Sequence, residues 1–296
     1  MNHRIRPRRS VLYMPGANVR ALEKARTLPA DALILDLEDS VAPETKGVAR
    51  RQVVAAVRQG GYGQRELIVR INALTTPWGR DDIAAVAASG ADAVLVPKIQ
   101  SHDDVLAIVD ALREAGAPPD LPVWAMAETP LAFLALNTIA GAHPQLKVIV
   151  VGTADLVKDL HARHSPERTE TATARSMAVL AARAYGLGVL DGVHLNLDDE
   201  TGLRFDCAQG RNMGFDGKTL IHPRQIAAAN AAFGPAEAEL VAARQIIAAW
   251  QQARSAGRGV VVVDGKLIEH LHVQEAERLL AIAGAIAAGD IAAGES

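Results

Sequence analysis

The sequence predicts a single (β/α)8 barrel, and three observations support this fold class. Eight short apolar runs, each bounded by turn residues, recur between residues 10 and 223. Alanine-rich segments with helical spacing separate these runs. The runs are almost continuously apolar, which is typical of parallel strands that are covered on both faces. Eight such strand and helix units favour a closed barrel over a doubly wound open sheet.

The candidate strands follow one another at regular intervals and are rich in Val, Ile and Leu, which favours extended structure. In chain order they are SVLYMPG (10–16), DALILDLED (31–39), ELIVRIN (66–72), AVLVPKI (93–99), PVWAMAET (122–129), KVIVVGTAD (147–155), GVLDGVHL (188–195) and GKTLIHP (217–223). Between them, segments such as NVRALEKARTL and DDVLAIVDALREAG repeat apolar residues every three or four positions. This period predicts helices that pack one face against the sheet.

The chain beyond the eighth candidate strand is longer than a barrel requires. Residues 227–257 predict one or two helices broken by FGP at 233–235. A short strand-like segment, GVVVVDG (259–265), and a last helix from about Val273 to Ala288 follow. Because a barrel needs one helix after its eighth strand, about 40 residues are surplus.

We therefore predict two domains. Residues 1–226 form the catalytic barrel, and residues 227–296 comprise the final barrel helix and a C-terminal extension. We expect this extension to pack on a neighbouring subunit or to fold over the barrel mouth.

Composition excludes several classes of protein. A net charge of -3, a pI near 6.3 and 3% aromatic residues argue against nucleic-acid binding. The single cysteine, Cys207, excludes an intramolecular disulfide and a cysteine-based zinc site. No stretch approaches the 18 apolar residues of a membrane-spanning helix. We expect a soluble cytoplasmic protein with neither a nucleic-acid nor a membrane partner.

Polar side chains lie at the carboxyl ends of most of the candidate strands. In barrel enzymes, the active site lies at this end of the barrel. One such residue is more often a helix cap or a turn residue than a catalyst. Their repetition over six strands predicts an active site there. In strand order these residues are Asp36, Glu38, Asp39, Arg70, Asn72, Lys98, Glu128, Asp155 and His222.

Glu128 and Asp155 are the sharpest candidates, because they follow adjacent strands and have no cysteine or clustered histidine nearby. Two carboxylates form an all-oxygen site that suits Mg²⁺, which keeps several waters and accepts substrate oxygens; Mn²⁺ is possible as well. The alternative is that each caps the helix that follows. Thr129 and Pro130 directly after Glu128 fit a helix start. We favour the metal site.

Arg70 and the carboxylates of LILDLEDSVAPETK (33–46) form a second candidate group. Arg70 has a permanently charged guanidinium group at the end of a buried strand and needs an anionic partner. That partner is either a substrate carboxylate or enolate, or a carboxylate of this motif. We expect Glu38 and Asp39 to orient Arg70 and metal-bound water, and Asp36 to point inward with Glu38.

The ordered set of motifs resembles one known superfamily. The motifs are RSVLYMPGAN, LILDLEDSVAPETK, VRIN, VPKI, AMAETP, VGTADL and GFDGKTLIHPRQI. Together they resemble the HpcH/HpaI aldolase and citrate lyase β-subunit superfamily, in its branch of CoA-ester lyases acting on malyl-CoA, citramalyl-CoA or similar thioesters. The match runs from Arg9 to about Leu280.

The resemblance implies roles for individual residues. Glu128 and Asp155 would bind Mg²⁺, and Arg70 would lie beside the metal against the 2-oxo acid and the thioester enolate. The segments that resemble the CoA-phosphate grip contain Arg9, Arg20 and Lys24. The family is commonly trimeric or hexameric, with the C-terminal segment over the mouth of the neighbouring subunit, so we expect a homo-oligomer.

One motif departs from the family pattern. Family members usually carry an aspartate in the tail that reaches the adjacent active site as an acid or base, whereas DGKLIEH places Glu269 there. The Glu269 carboxylate is one methylene further from the backbone, and a misplacement of about 1 Å can cost about 100-fold in rate. Glutamate can still transfer a proton, however, so we count Glu269 with Arg70, Glu38 and Asp39 as catalytic candidates.

The implied reaction is a Mg²⁺-dependent carbon–carbon cleavage of a 3-hydroxyacyl-CoA, such as malyl-CoA, methylmalyl-CoA or citramalyl-CoA. Its products are an acyl-CoA and a 2-oxo acid, glyoxylate or pyruvate. Three alternatives stay open: a (3S)-malyl-CoA thioesterase, an aldolase acting on free hydroxy-oxo acids, and a citrate lyase β-like subunit of a larger complex. The basic segments that suit CoA phosphates argue against the free-acid aldolase.

Overall fold

The computed structural model describes residues 6–294, which form two compact units. The larger unit spans residues 8–233, and the smaller one comprises residues 6–7 and 234–294. The domain boundary after residue 226 stays a prediction. Residues 1–5 and 295–296 of the two predicted domains lie outside the described part of the chain.

The larger unit is a closed barrel of eight parallel strands, in which each strand pairs with the next and the eighth pairs with the first. This confirms the predicted fold class, and each candidate strand overlaps one strand of the barrel. The strands are β1 Ser10–Pro15, β2 Ala32–Asp36, β3 Glu66–Arg70, β4 Ala93–Val96, β5 Val123–Ala127, β6 Leu146–Val151, β7 Gly188–Asp191 and β8 Gly217–Leu220.

Side chains alternate between the barrel interior and the layer beneath the helices. Ile34, Ile68 and Trp124 belong to an interior cluster of fully buried side chains. Neighbours such as Leu35 and Val69 pack instead into the larger apolar core outside the strands. Because the side-chain period of a strand is two, Asp36, Arg70 and Glu128 continue the interior set at the carboxyl ends of their strands.

Helices surround the barrel, and several begin at a polar cap. Asn18, Ser101, Thr129 and Asp199 each accept a backbone N–H of the first turn of their helix. The helices of this unit are α1 Val19–Ala25, α2 Lys46–Gln59, α3 Gly79–Ala87, α4 His102–Glu114, α5 Pro130–Leu134, α6 Leu136–Ala140, α7 Thr153–Asp159, α8 Ala172–Ala184, α9 Glu200–Met213 and α10 Ile226–Phe233, with 3-10 turns at Pro43–Thr45, Thr169–Thr171 and Pro223–Gln225.

The smaller unit contains two helices and a β-hairpin. The elements are α11 Glu237–Ser255, β9 Val261–Val263, β10 Lys266–Ile268 and α12 His270–Gly294. The sequence predicted a single strand at 259–265, whereas two antiparallel strands form. Asp264 and Gly265 both have positive φ, at 48° and 75°, which is the backbone of a tight hairpin turn. No described helix has both the length and the apolar character needed to cross a bilayer.

Candidate active site

Arg70 and Asp36 meet inside the barrel at the carboxyl ends of β3 and β2, where they are register partners. Nε and Nη2 of Arg70 each donate to one oxygen of Asp36, both at 2.7 Å. Asp36 also accepts the backbone N–H groups of Glu38 and Ser40. Burial raises the pKa of Asp36, but the guanidinium and these hydrogen bonds outweigh it and hold the pKa below its usual value. Arg70 thus has a motif carboxylate as its partner.

The remaining nitrogen of Arg70 faces the two other carboxylates of the motif. Nη1 lies 2.8 Å from Oε2 of Glu38 and donates to Oδ2 of Asp39 at 3.3 Å. The Asp39 side chain is 67% exposed, so this end of the guanidinium is the one near solvent. Burial raises the pKa of Glu38 to about 7; Arg70 opposes the shift, while Asp39 and Asp36 add to it. Glu38 can therefore exchange a proton near neutral pH.

Lys46, the last residue of the same motif, fixes the loop that carries Glu38. Its buried ammonium donates to the carbonyl oxygens of Leu37 and Glu38 and to Oδ1 of Asn72. Asn72, just after β3, donates in turn to the Leu37 carbonyl at 2.8 Å. The ends of β2 and β3 are thereby joined through one lysine, a role that its position in the motif did not reveal.

Glu128 and Asp155 come together beside this group. Glu128 directly follows β5 and is 2% exposed, whereas Asp155 lies in the first turn of α7 after β6. The ammonium of Lys98 lies between them, 3.6 Å from Oε1 of Glu128 and 3.5 Å from Oδ1 of Asp155. The backbone N–H of Lys98 also donates to Oε1 at 2.8 Å. One cation therefore already bridges the two predicted metal ligands.

The protonation of these groups reflects their shared charge. Burial raises the pKa of Glu128 to about 7, against the opposing charge of Lys98. Burial alone would lower the pKa of Lys98. The negative charges of Glu128, Asp155 and Glu38 outweigh this effect, so the pKa of Lys98 is raised. A carboxylate as deeply buried as Glu128 is ionised only with a cation close by.

The alternative in which Glu128 caps the following helix does not describe this site. Oγ1 of Thr129 accepts the backbone N–H of Ala132 and caps α5, while Glu128 accepts from Lys98. Gly152, just before α7, keeps the approach open: a Cβ at this position would come within 2.4 Å of the Glu128 Cβ. The glycine lets the β6 end, and with it Asp155, lie against Glu128.

The donor set fits a magnesium ion. No group of three or more His, Cys, Asp or Glu residues with the arrangement of a metal site occurs among residues 6–294, so the pair supplies two oxygen ligands. Mg²⁺ commonly binds through one or two carboxylates and fills its other positions with water and substrate oxygens. A site that already attracts an ammonium between two carboxylates matches this requirement.

The other predicted binding residues lie elsewhere. Arg9 precedes β1 and pairs with Asp31, which precedes β2, through Nη2 and Oδ1 at 2.8 Å. It therefore lies at the amino end of the barrel, opposite the carboxylates, and the structure does not bring it to the site. Arg20 and Lys24 are exposed on α1, which follows the carboxyl end of β1. Glu269 is exposed in the smaller unit, before α12.

A second polar cluster and a cavity border the site on the β7 side. Arg168 and Lys218 pair with the fully buried Asp191. Asp206 lies within 4 Å of both cations, and its Oδ2 accepts a hydrogen bond from Nδ1 of His194 at 2.9 Å. Beside the cluster lies a cavity of about 580 Å³, within the range of ligand pockets. Its lining includes Thr153, which begins the helix that carries Asp155, but none of the predicted site residues.

Comparison with known proteins gives consistent matches over most of the chain. Residues 9–223 match the family described as HpcH/HpaI aldolase/citrate lyase. The protein named (3S)-malyl-CoA thioesterase of Cereibacter sphaeroides is 50% identical over 97% of this chain and 99% of its own length. Citrate lyase subunit beta of Escherichia coli is 39% identical over 93% of each chain.

A solved structure is also similar over nearly the whole chain. It is the crystal structure of the protein CitE from Mycobacterium tuberculosis in complex with magnesium, acetoacetate and coenzyme A. Its sequence is 30% identical, the match covers 94% of this chain and 98% of that one, and the TM-score is 0.74. A further structure of the citrate lyase beta subunit from M. tuberculosis, complexed with oxaloacetate and magnesium, has a TM-score of 0.67 at 31% identity over 79% of this chain and 100% of that one.

Proposed function

This chain belongs to the HpcH/HpaI aldolase/citrate lyase family, and we propose that it is a Mg²⁺-dependent thioesterase of malyl-CoA-type substrates. The products are free CoA and the hydroxy acid. The observation that carries the proposal is the carboxylate pair Glu128 and Asp155, which one cation bridges at the carboxyl ends of two adjacent barrel strands.

Glu128 and Asp155 hold the metal in this proposal, which the CitE structures with magnesium support. Mg²⁺, or Mn²⁺ in its place, supplies Lewis-acid polarisation of the substrate oxygens that it contacts. The two carboxylates fix its position, and Gly152 leaves them the space to approach each other. Their side chains thereby orient the hydroxy-acid end of the substrate.

The choice of a CoA thioester rests on similarity and on one exposed pair of cations. Half of the residues are identical to a protein named (3S)-malyl-CoA thioesterase, over 97% of this chain. Arg20 and Lys24 are four positions apart on α1, so they lie on one helix face, and both are exposed. Such a pair of cations suits the phosphates of CoA, whereas the position of Arg9 does not serve this role.

Glu38 is the base in the proposed hydrolysis, because its raised pKa of about 7 suits proton transfer near neutral pH. Water gives its oxygen to the thioester carbonyl carbon and a proton to the Glu38 carboxylate. The carbon–sulfur bond then breaks, its electron pair stays on sulfur, and the Glu38 proton neutralises the thiolate. Arg70 Nη1, beside Glu38 and Asp39, stabilises the negative charge that develops on the carbonyl oxygen.

Carbon–carbon cleavage is the second candidate, and the citrate lyase subunit beta relatives at 39% identity favour it. In that reaction Glu38 takes the hydroxyl proton of malyl-CoA, methylmalyl-CoA or citramalyl-CoA, and the bond to the acyl-CoA carbon breaks. Glu269, supplied by a neighbouring subunit, then protonates the enolate. Because the E. coli relative is named as a subunit, this candidate includes a chain that needs partner chains for activity.

Product analysis separates the candidates. The purified protein is incubated with Mg²⁺ and (3S)-malyl-CoA, and free CoA, malate, acetyl-CoA and glyoxylate are quantified over time. We expect one malate for each free CoA. Acetyl-CoA with an equal amount of glyoxylate would replace the thioesterase by the lyase, and an unchanged substrate would argue for dependence on partner chains.

A further inference from the structure

The backbone at Lys98 is strained. Its φ of 56° places a non-glycine residue in the left-handed region, directly after Pro97. This conformation is unfavourable for a residue with a Cβ and tends to be kept at functional sites. Here it lets the backbone N–H of Lys98 donate to Oε1 of Glu128 at 2.8 Å.

The Lys98 side chain contacts the same carboxylate from a second direction. Its ammonium lies 3.6 Å from Oε1 of Glu128 and 3.5 Å from Oδ1 of Asp155. Mg²⁺ binds carboxylate oxygens at about 2.0–2.1 Å, so an ion held by these two oxygens has its centre close to the present ammonium. Two like-charged cations repel at this separation, and the ammonium has to move when the ion binds.

The two contacts of Lys98 are separable. The side chain is 45% exposed and ends a flexible four-carbon stem, so the ammonium can swing without backbone movement. The backbone N–H stays on Glu128 in either position. The strained backbone of Lys98 therefore holds Glu128, a proposed metal ligand, in place. The Lys98 ammonium remains free to move when a ligand binds.

We propose that the Lys98 ammonium is a resident cation that Mg²⁺ displaces, and that the displaced ammonium pairs with the carboxylate of the bound hydroxy acid. This inference rests on the proposed metal site. It adds that metal binding and acid binding are coupled there, so that each ligand binds more tightly when the other is present. Lys98 is here a positioning residue for the acid and a competitor of the metal.

The coupling follows from charge. In the free protein, Mg²⁺ displaces the ammonium from Glu128 and Asp155, and the loss of these two contacts weakens metal binding. When an acid occupies the remaining metal positions, its carboxylate offers the ammonium a new partner. By linkage the acid strengthens metal binding by the same factor as the metal strengthens acid binding. We expect this factor to be on the order of 10 in the wild type.

Calorimetric titration tests this without any activity measurement. Mg²⁺ is titrated into the full-length wild type and into Lys98→Met, with and without saturating (S)-malate. Lys98→Met should bind Mg²⁺ about 10-fold more tightly in the absence of malate, and malate should then strengthen Mg²⁺ binding by a smaller factor than in the wild type, because only the contribution of the ammonium is lost. Lys98→Arg, which keeps the charge, should retain the wild-type coupling. Lys147→Met makes the same charge change at an exposed position at the start of β6 and should behave as the wild type.

Each outcome decides one claim. Equal or weaker Mg²⁺ binding by Lys98→Met, or undiminished coupling to malate in that variant, overturns the role of Lys98. The proposed metal site is judged separately by Glu128→Gln: if this variant binds Mg²⁺ as the wild type does, or if the wild type binds none even with malate, the metal site itself is refuted. Thermal unfolding of each variant confirms that it is folded.

Discussion

Arg70 holds one side of the candidate site together through the carboxylates of a single motif. Its bidentate pair with Asp36 is buried, and only Nη1 approaches the solvent, through the exposed Asp39. Breaking a buried pair by removing one partner leaves a charge without compensation, which costs far more than the pair itself contributes. The guanidinium therefore stabilises this part of the fold, in addition to the role in catalysis that we propose for it.

We expect Arg70→Met to lower the free energy of unfolding by about 3–5 kcal/mol, since Asp36 then remains buried without its counter-charge. Urea denaturation followed by circular dichroism measures the change. The double variant Asp36→Asn with Arg70→Met removes both charges and should recover most of this loss while staying inactive. An Arg70→Met variant as stable as the wild type would contradict a stabilising role of the ion pair.

The raised pKa of Glu38 gives a prediction for the metal-free protein. The folded state keeps the Glu38 proton up to about pH 7, whereas the unfolded chain loses it near pH 4.5. Because the folded state binds more protons in this window, the free energy of unfolding falls as the pH rises from about 4.5 to about 7. Urea denaturation with a chelator present should show a shallower fall for Glu38→Gln. An identical slope in both proteins would contradict the assignment.

Sequence position identified the charged residues of the site but not all of their contacts. Parallel strands bring their carboxyl ends to one face, so Glu128, Asp155 and Arg70 could be placed together from the sequence. The contact of the Lys98 backbone N–H with Glu128 depends on the left-handed backbone, which no sequence pattern signals. Arg9 was assigned by resemblance, although its place before the first strand indicates the opposite end of the barrel.

At the junction of β6 and α7, one glycine determines how closely the two proposed metal ligands, Glu128 and Asp155, approach each other. Gly152 has an ordinary negative φ of -91°, so space rather than backbone conformation requires glycine there. A Cβ would lie 2.4 Å from the Glu128 Cβ and 2.9 Å from its Oε2. Any larger residue has to push Glu128 away from Asp155.

We expect Gly152→Ala to weaken Mg²⁺ binding by at least about 10-fold, because displacement of a ligand by about 1 Å spoils near-ideal octahedral coordination. Calorimetric titration of the metal gives the affinity. Gly47→Ala in α2 is the matched control, since a Cβ there has only one neighbour within 4 Å, at 3.9 Å, and alanine favours a helix. Unchanged affinity in Gly152→Ala would refute the steric argument.

The element pattern of the barrel was predictable because near-continuous apolar runs and a helical period are both visible in the sequence. The hairpin of β9 and β10 was predicted as one strand. VVVV (260–263) and KLI (266–268) lie on either side of Asp264 and Gly265. An Asp-Gly pair between two apolar runs is a hairpin signal, so the sequence itself indicates this turn.

At the scale of the whole molecule, the expected trimer or hexamer and the role of Glu269 in a neighbouring site stay predictions. They can be tested together by mixing subunits. The Glu128→Gln and Glu269→Gln variants each lack one carboxylate of the expected site. In a mixed oligomer, a site between the two variants can combine Glu128 of one subunit with Glu269 of its neighbour. After denaturation and refolding as a 1:1 mixture, about a quarter of the sites should be complete.

The readout is carbon–carbon cleavage of malyl-CoA, the reaction in which Glu269 has a role, together with the oligomer mass from sedimentation relative to the 31.2 kDa chain. This readout applies to the second candidate function: if the wild type cleaves malyl-CoA to acetyl-CoA and glyoxylate, cleavage by the mixture should exceed that of either variant alone. A monomer by sedimentation, or a mixture no more active than its components, would contradict a site completed by the neighbouring subunit.

In the proposed function, turnover of malyl-CoA depends on a metal ion that Glu128 and Asp155 hold. The most direct measurement is the initial rate of CoA release from (3S)-malyl-CoA as a function of Mg²⁺ concentration, for the wild type, Glu128→Gln and Asp155→Asn. We predict saturable activation of the wild type, complete loss with a chelator, and a fall of at least about 100-fold in both variants. Turnover that persists in excess chelator, or a wild-type rate in either variant, would contradict the account.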